Sequence, residues 1–206
     1  MIMKEKELTA AESLKLIERT IEQSRRDVAK ASAQPLLVWG GLVLSTSLII
    51  WLLITNTPKG EGGGSWHLLW ILMTLIGNIY HYYFNRSWSV PDTIVSRTIG
   101  YMWGVFGISV FVLWAINICA IIFGGISARQ VIPMTPTIIL LMGLSVAVTG
   151  LLMNRLFISI IGAVACAVCS YFSLVNQGVN ELLCVAVTAV FTLIVPGLYL
   201  KFSNGR

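Results

Sequence analysis

The sequence predicts an all-α fold, a polytopic membrane bundle of about six helices preceded by an N-terminal cytoplasmic amphipathic helix. Three observations carry that reading. Only 11% of the 206 residues are charged and 56% are hydrophobic, with a mean hydropathy of +0.82, whereas a soluble domain carries roughly 25% charged residues. The charge is also segregated: residues 1–30 hold 7 of the 14 basic and 6 of the 9 acidic residues. Six apolar runs then follow, at 36–54, 66–84, 99–123, 137–153, 156–175 and 182–200. A hydrocarbon core about 30 Å thick takes roughly 20 helical residues. With no water to satisfy the backbone there, apolar runs of this length form helices.

The first element is residues 1–34, an amphipathic helix on the cytoplasmic side. Thr9 and Glu12 are spaced as a capping box, the hydroxyl accepting from the third amide while the carboxylate reaches back. Leu14, Ile17, Ile21, Ser24 and Val28 recur at intervals of three and four, which lines one face of a helix. Glu12, Lys15, Arg19, Glu22 and Arg26 line another, with Glu22 and Arg26 placed to pair. Gln34-Pro35 marks the expected end of this helix, because the residue before proline is pushed out of the α region. Leu14, Ile17, Ile21 and Val28 form the candidate interaction face, and deleting residues 1–33 is expected to leave the bundle folded.

The second element is residues 35–206, the six spans. Their breaks are rich in Gly, Pro and Asn: a loop over 59–65, a longer one over 85–98 with Pro91, another over 124–136, a tight turn at Asn154-Arg155, and a last turn over 176–181. Short connections make sequential helices antiparallel neighbours. With the N-terminus inside, Arg86, Arg97, Arg155, Lys201 and Arg206 also fall inside and only Lys59 and Arg129 fall outside, the asymmetry that orients membrane proteins. Both termini are therefore expected in the cytoplasm. Trp39, Trp51, Trp66, Tyr82, Tyr83, Trp88, Tyr101, Trp103 and Tyr199 lie near span ends, where amphipathic rings settle. Trp39-Gly40 and Trp103-Gly104 open spans one and three alike, a faint sign of duplicated hairpins. Val195-Pro196-Gly197 is expected to bend or end the last span early.

The intramembrane polar candidates are Asn78 and Asn117, read as donors of interhelical hydrogen bonds. Glu181 opens the last span, where a carboxylate complements a helix N-terminus. Gly100, Gly104 and Gly107, then Gly143 and Gly150, then Gly162 mark small-residue stripes that let helices approach closely, within one bundle or between two copies. Cys166 and Cys169 have a redox or metal spacing but sit mid-span and read as small apolar residues. A Cys119–Cys184 disulfide requires spans three and six to touch. His67 and His81 are about 21 Å apart along span two and cannot share one metal or haem.

These features exclude several functions and leave two. Basic residues scattered one or two per loop do not make a nucleic-acid footprint. Asp92, His81 and Arg97 are too few for a catalytic cluster, and no cofactor or metal is expected. The polar N-terminal thirty residues do not read as a cleaved signal, nor Ile2 as a lipidation site. The reading that remains is an interaction or regulatory membrane protein. Its partners are the lipid bilayer and, through the N-terminal helix, a cytoplasmic protein or a second copy. The alternative is a transporter or binder of a small molecule or lipid.

One resemblance adds to this. Glu12-Ser13-Leu14-Lys15-Leu16-Ile17, Leu37-Val38-Trp39-Gly40-Gly41, Ile99-Gly100-Tyr101-Met102-Trp103-Gly104-Val105-Phe106-Gly107 and Val195-Pro196-Gly197-Leu198 occur in that order. The chain resembles, over nearly its whole length, an uncharacterised family of small six-helix inner-membrane proteins of Bacteroidota bacteria. The resemblance implies an inner-membrane location. It also implies a regulatory connection, since genes of that family often neighbour small winged-helix regulators. It implies no residue role.

Overall fold

A computed structural model of the chain describes residues 10–58, 63–84, 92–125, 127 and 131–203. Thr9, Lys59, Arg86, Trp88, Pro91, Arg129 and Arg206, on which parts of the cap, loop and orientation readings rest, lie outside the described residues. The helices are α1 (Ala10–Asn56), α2 (Leu69–Phe84), α3 (Ile94–Ile122), α4 (Met134–Leu152), α5 (Leu156–Val175), α6 (Glu181–Ala189) and α7 (Val195–Ser203). A 3-10 turn, Gly63–Leu68, leads into α2, and a π-helical segment, Val190–Ile194, joins α6 to α7. Among the described residues five helical stretches are long and apolar enough to cross a membrane: α1, α3, α4, α5 and the α6–π–α7 rod. The second apolar run is divided. The 16 residues of α2 span about 24 Å and approach bilayer thickness only with the 3-10 turn before them.

The expected boundary at Gln34-Pro35 is not there. α1 is one helix of 47 residues with Pro35 in its interior, about 70 Å long. Proline leaves the carbonyl one turn earlier without its donor and usually costs about 3 kcal/mol in a helix interior. Packing on both sides of the position offsets this. Ala33, Leu36 and Gly40 are buried, and Gln34 donates from Nε2 to the Tyr80 hydroxyl of α2 at 2.7 Å.

The proline near the C-terminus is absorbed differently. The last span neither breaks nor ends at Val195-Pro196-Gly197. The helix widens just before it, so that the Val195 amide bonds to the Val190 carbonyl, five residues back. This register shift removes the clash that a proline ring makes in an α-helix. Thr188 and Thr192, both fully buried, donate their hydroxyls to the carbonyls of Cys184 and Thr188 at 2.7 and 2.8 Å.

α1 runs through the middle of the bundle, against α6, the π segment and α7 on one side and α2 on another, with a smaller contact to α3. α4 and α5 form the tightest pair, α5 leans on α6, and α3 joins through α4. The α4–α5 turn closes as a Schellman motif. Asn154 takes the left-handed conformation at φ 57°, its amide bonds to the Leu151 carbonyl at 3.0 Å, and the Arg155 amide reaches the Gly150 carbonyl at 2.7 Å. α3 starts at a capping box, with the Ser96 amide on Thr93 Oγ1 at 3.2 Å and the Thr93 amide on Ser96 Oγ at 3.0 Å.

One core cluster joins Val28, Ala29, Ala33 and Leu36 of α1 to Ile99 of α3, Met153 at the end of α4, Ile158 of α5 and Leu200 of α7. α1 therefore enters the bundle at Val28, two turns before Pro35. We call residues 10–27 the stalk, and the end of the bundle from which it emerges the stalk end.

Candidate functional site

The interaction face of the sequence splits in two at the stalk end. Leu14, Ile17 and Ile21 are 68%, 56% and 46% exposed, whereas Val28 is 1% exposed and packs inside the bundle. The physical cause is length. The stalk extends about 27 Å from the core cluster; its base, at Ser24 and Arg25, is half-buried, and Leu14, Ile17 and Ile21 lie beyond it. Its apolar face has the 3.6-residue period of a helix meant to be covered, yet it ends uncovered. The opposite face is polar, with an exposed Glu22–Arg26 ion pair one turn apart that adds little stability at such exposure. Leu16, 56% exposed, lies outside the apolar seam.

The two asparagines have different fates. Asn117 is buried and donates from Nδ2 to the Ile132 carbonyl at 2.9 Å. It ties α3 to the chain leading into α4, so its long-range role stands with a loop as partner. Asn78 is exposed, and its Nδ2 bonds to the Thr74 carbonyl of its own helix at 2.8 Å, in place of an interhelical bond among the described residues. Any i−4 carbonyl offers such a local alternative, and sequence spacing does not reveal which one an amide takes.

The small-residue stripes also divide. A β-carbon on Gly143 would fall inside the Cys166 side chain, and one on Gly150 would lie 2.5 Å from Ser159 Oγ. At Gly162 it would meet the Ala147 amide at 3.1 Å. These three glycines let α4 and α5 meet backbone to backbone. Ser159 and Ser170 seal the contact by donating to the Ala147 and Pro136 carbonyls at 2.8 and 3.0 Å. Gly100, Gly104 and Gly107 pack against nothing: a β-carbon at each meets open space. α3 is peripheral, so its stripe faces outward. The Trp-Gly pairs of spans one and three accordingly sit in unlike surroundings, since a β-carbon on Gly40 would meet Ile194 at 2.8 Å.

Close approaches that sequence reasoning passed over centre on α1. Gly77 of α2 lies under the Trp39 ring, and Gly197 of α7 lies under Leu37 and the Ala33 carbonyl. With the Gln34–Tyr80 bond, these notches seat α2 and α7 against α1. A lone glycine facing a tryptophan on another helix was the available signal, but pairing them requires knowing which helices touch.

No reactive constellation emerges from the remaining candidates. All four cysteines are free thiols. Cys166, Cys169 and Cys184 pack in one cluster with Ile139 and Val185, whereas Cys119 is exposed on α3, so the Cys119–Cys184 disulfide is absent. Among the described residues no three His, Cys, Asp or Glu side chains converge to hold a metal ion. Asp92 and Arg97 pair through two bonds of 2.6 and 2.7 Å. The Arg97 guanidinium thereby holds the Asp92 carboxyl below the usual carboxylate range. Glu181 Oε1 accepts from the Gly178 amide at 2.9 Å at the start of α6. Asp92, Arg97 and Glu181 therefore serve the starts of their own helices.

Comparison with protein-family models, curated proteins and solved structures finds no match. Among the described residues, the α3 glycine stripe and the apolar face of the stalk are left without a structural task inside the chain, and of the two the stalk lies beyond the bundle.

Proposed function

We propose that this chain is an interaction or regulatory protein of the bacterial inner membrane. Its bundle anchors and aims the stalk, and the stalk binds a cytoplasmic partner or another copy. The observation that carries this reading is the exposure of Leu14, Ile17 and Ile21 on a helix continuous with a membrane-crossing segment. Fully burying a leucine or isoleucine side chain contributes about 1.5–3 kcal/mol, so three in a row favour a covered state. Helical continuity through Pro35 also directs the stalk away from the bilayer. A surface-lying amphipathic helix would need a bend there.

Charge supports the orientation. Among the described residues, the basic ones are Lys15, Arg19, Arg25, Arg26 and Lys30 of α1, with Arg97, Arg155 and Lys201, and all belong to the stalk or the stalk end. On the positive-inside rule that end, with both termini, faces the cytoplasm.

The test is affinity purification from membranes in mild detergent, comparing the full chain with a form lacking residues 1–23. Bound protein that disappears on truncation, with helix content and thermal midpoint unchanged, is the expected result. Identical capture by both forms removes the proposal.

A further inference from the structure

We infer that the stalk is covered by a second copy of this chain, packed alongside it as a parallel, in-register two-stranded coil. This rests on the reading of the stalk as an interaction surface and names its occupant. Ala10, Leu14, Ile17, Ile21, Ser24 and Val28 follow the alternating four- and three-residue spacing of a heptad seam. Leu14, Ile21 and Val28 take the first core position, and Ala10, Ile17 and Ser24 the other.

Geometry then selects the partner. Two copies inserted with the same topology project their stalks in the same direction, because α1 is one helix from stalk to membrane. They meet parallel and at equal height, which sets like residues of the seam opposite one another. Charge agrees with that register. In a parallel pair the residue flanking one core position faces the residue five places on in its partner. Ser13 thus faces Glu18, and Thr20 faces the position of Arg25, which is half-buried at the base of the stalk with its Nε covered in its own chain. Neither pairing opposes like charges. Glu12, Lys15, Arg19, Glu22 and Arg26 fall on the outer positions, and Glu22 and Arg26 neutralise each other within one helix. Between Ala10 and Asp27 the stalk holds four acidic and four basic residues. It therefore carries no charge bias that would choose an acidic or basic protein over its own copy. Two heptads are too short to pair well in free solution, but anchoring in one membrane raises the effective concentration of the second stalk. Ser24 and the burial of Val28 in the bundle end the seam where the coil would meet the bundle.

Cysteine cross-linking of the full chain in membrane vesicles tests this, with the unsubstituted protein, which keeps its four native cysteines, as background. Ala10→Cys and Ile17→Cys place thiols at exposed seam positions, where the two α-carbons come within the roughly 7 Å a disulfide needs. Arg19→Cys and Arg26→Cys place them on the outer face. Dimer formation under a mild oxidant should be at least about tenfold faster at the seam positions than at the outer ones. Equal rates at all four positions, or no dimer above background at any, overturn the pairing. Seam cysteines also remove apolar contact, so spin labels at Arg19→Cys provide a variant that leaves the seam whole. A defined inter-copy distance supports the coil, and none overturns it. A different protein captured through residues 1–23, with no seam cross-link, sinks this inference and leaves the stalk as an interaction surface. Capture unaffected by truncation, with no cross-link, sinks both.

Discussion

At the scale of single residues, the glycines separate by what stands opposite them. Gly143 faces Cys166 and Gly162 across the α4–α5 contact, while Gly104 faces open space. Gly143→Ala should therefore lower stability by about 1–3 kcal/mol through overpacking. Gly104→Ala should be neutral or stabilising by up to about 1 kcal/mol, since alanine is the better helix former. Thermal unfolding in detergent, followed by circular dichroism, distinguishes the two, and equal losses would contradict the packing described. Asp92 carries a pH prediction. Its carboxyl is held ionised by Arg97, so its pKa is depressed. A depressed carboxylate contributes at neutral pH and loses its contribution as pH falls through the lowered value. Arg97→Ala should move the Asp92 titration midpoint upward toward that of a free carboxylate, read by the side-chain carboxyl shift in NMR. Because the pair is fully exposed, stability at neutral pH should change little.

At the scale of elements, α2 depends on α1. It packs chiefly on α1 and on its own 3-10 turn, with the Gln34–Tyr80 bond and the Trp39–Gly77 notch among its attachments, while Trp70 rests on the cluster of Ile139, Cys166 and Val185. Tyr80→Phe removes the hydroxyl acceptor at a cost of about 1 kcal/mol. Gly77→Val expels the Trp39 ring and should release the helix more fully. Limited proteolysis should cut near α2 faster in the order wild type, Tyr80→Phe, Gly77→Val, with the α4–α5 hairpin equally protected in all three. Loss of protection throughout the chain would mean that α2 is part of one cooperative unit. The two prolines teach a related lesson. A proline is compatible with a long helix when the neighbouring contacts offset the lost bond, as at Pro35, or when the register shifts ahead of it, as at Pro196. Neither outcome follows from the proline rule applied to local sequence alone.

At the scale of the whole molecule, the division between anchor and stalk lies at Val28, not at Pro35. Val28, Ala29 and Ala33 belong to the core cluster, so removing residues 1–33 takes three core side chains from the stalk end. That corrects the expectation that such a deletion leaves the bundle intact. Deleting residues 1–23 should leave the unfolding midpoint in detergent unchanged. Deleting residues 1–33 should lower it sharply, since loss of one buried aliphatic side chain alone costs on the order of 1 kcal/mol or more. If both deletions behave alike, the core does not extend to Val28.

The sequence by itself determined the helical class, the apolar runs and the amphipathic pattern of Leu14, Ile17 and Ile21, because each depends on local composition and period. A stretch of 20 apolar residues has one structural solution in lipid, and it can be read without knowing its neighbours. The tertiary structure decided which glycines are contacts and which are surface, which of Asn78 and Asn117 bridges to a distant part of the chain, and where α1 enters the core. Those properties belong to pairs of helices. Gly143 and Gly104 look alike in sequence and differ only because α4 lies against α5 while α3 lies at the edge. The same reason separates Val28 from Ile21: one period runs through both, and the bundle ends between them.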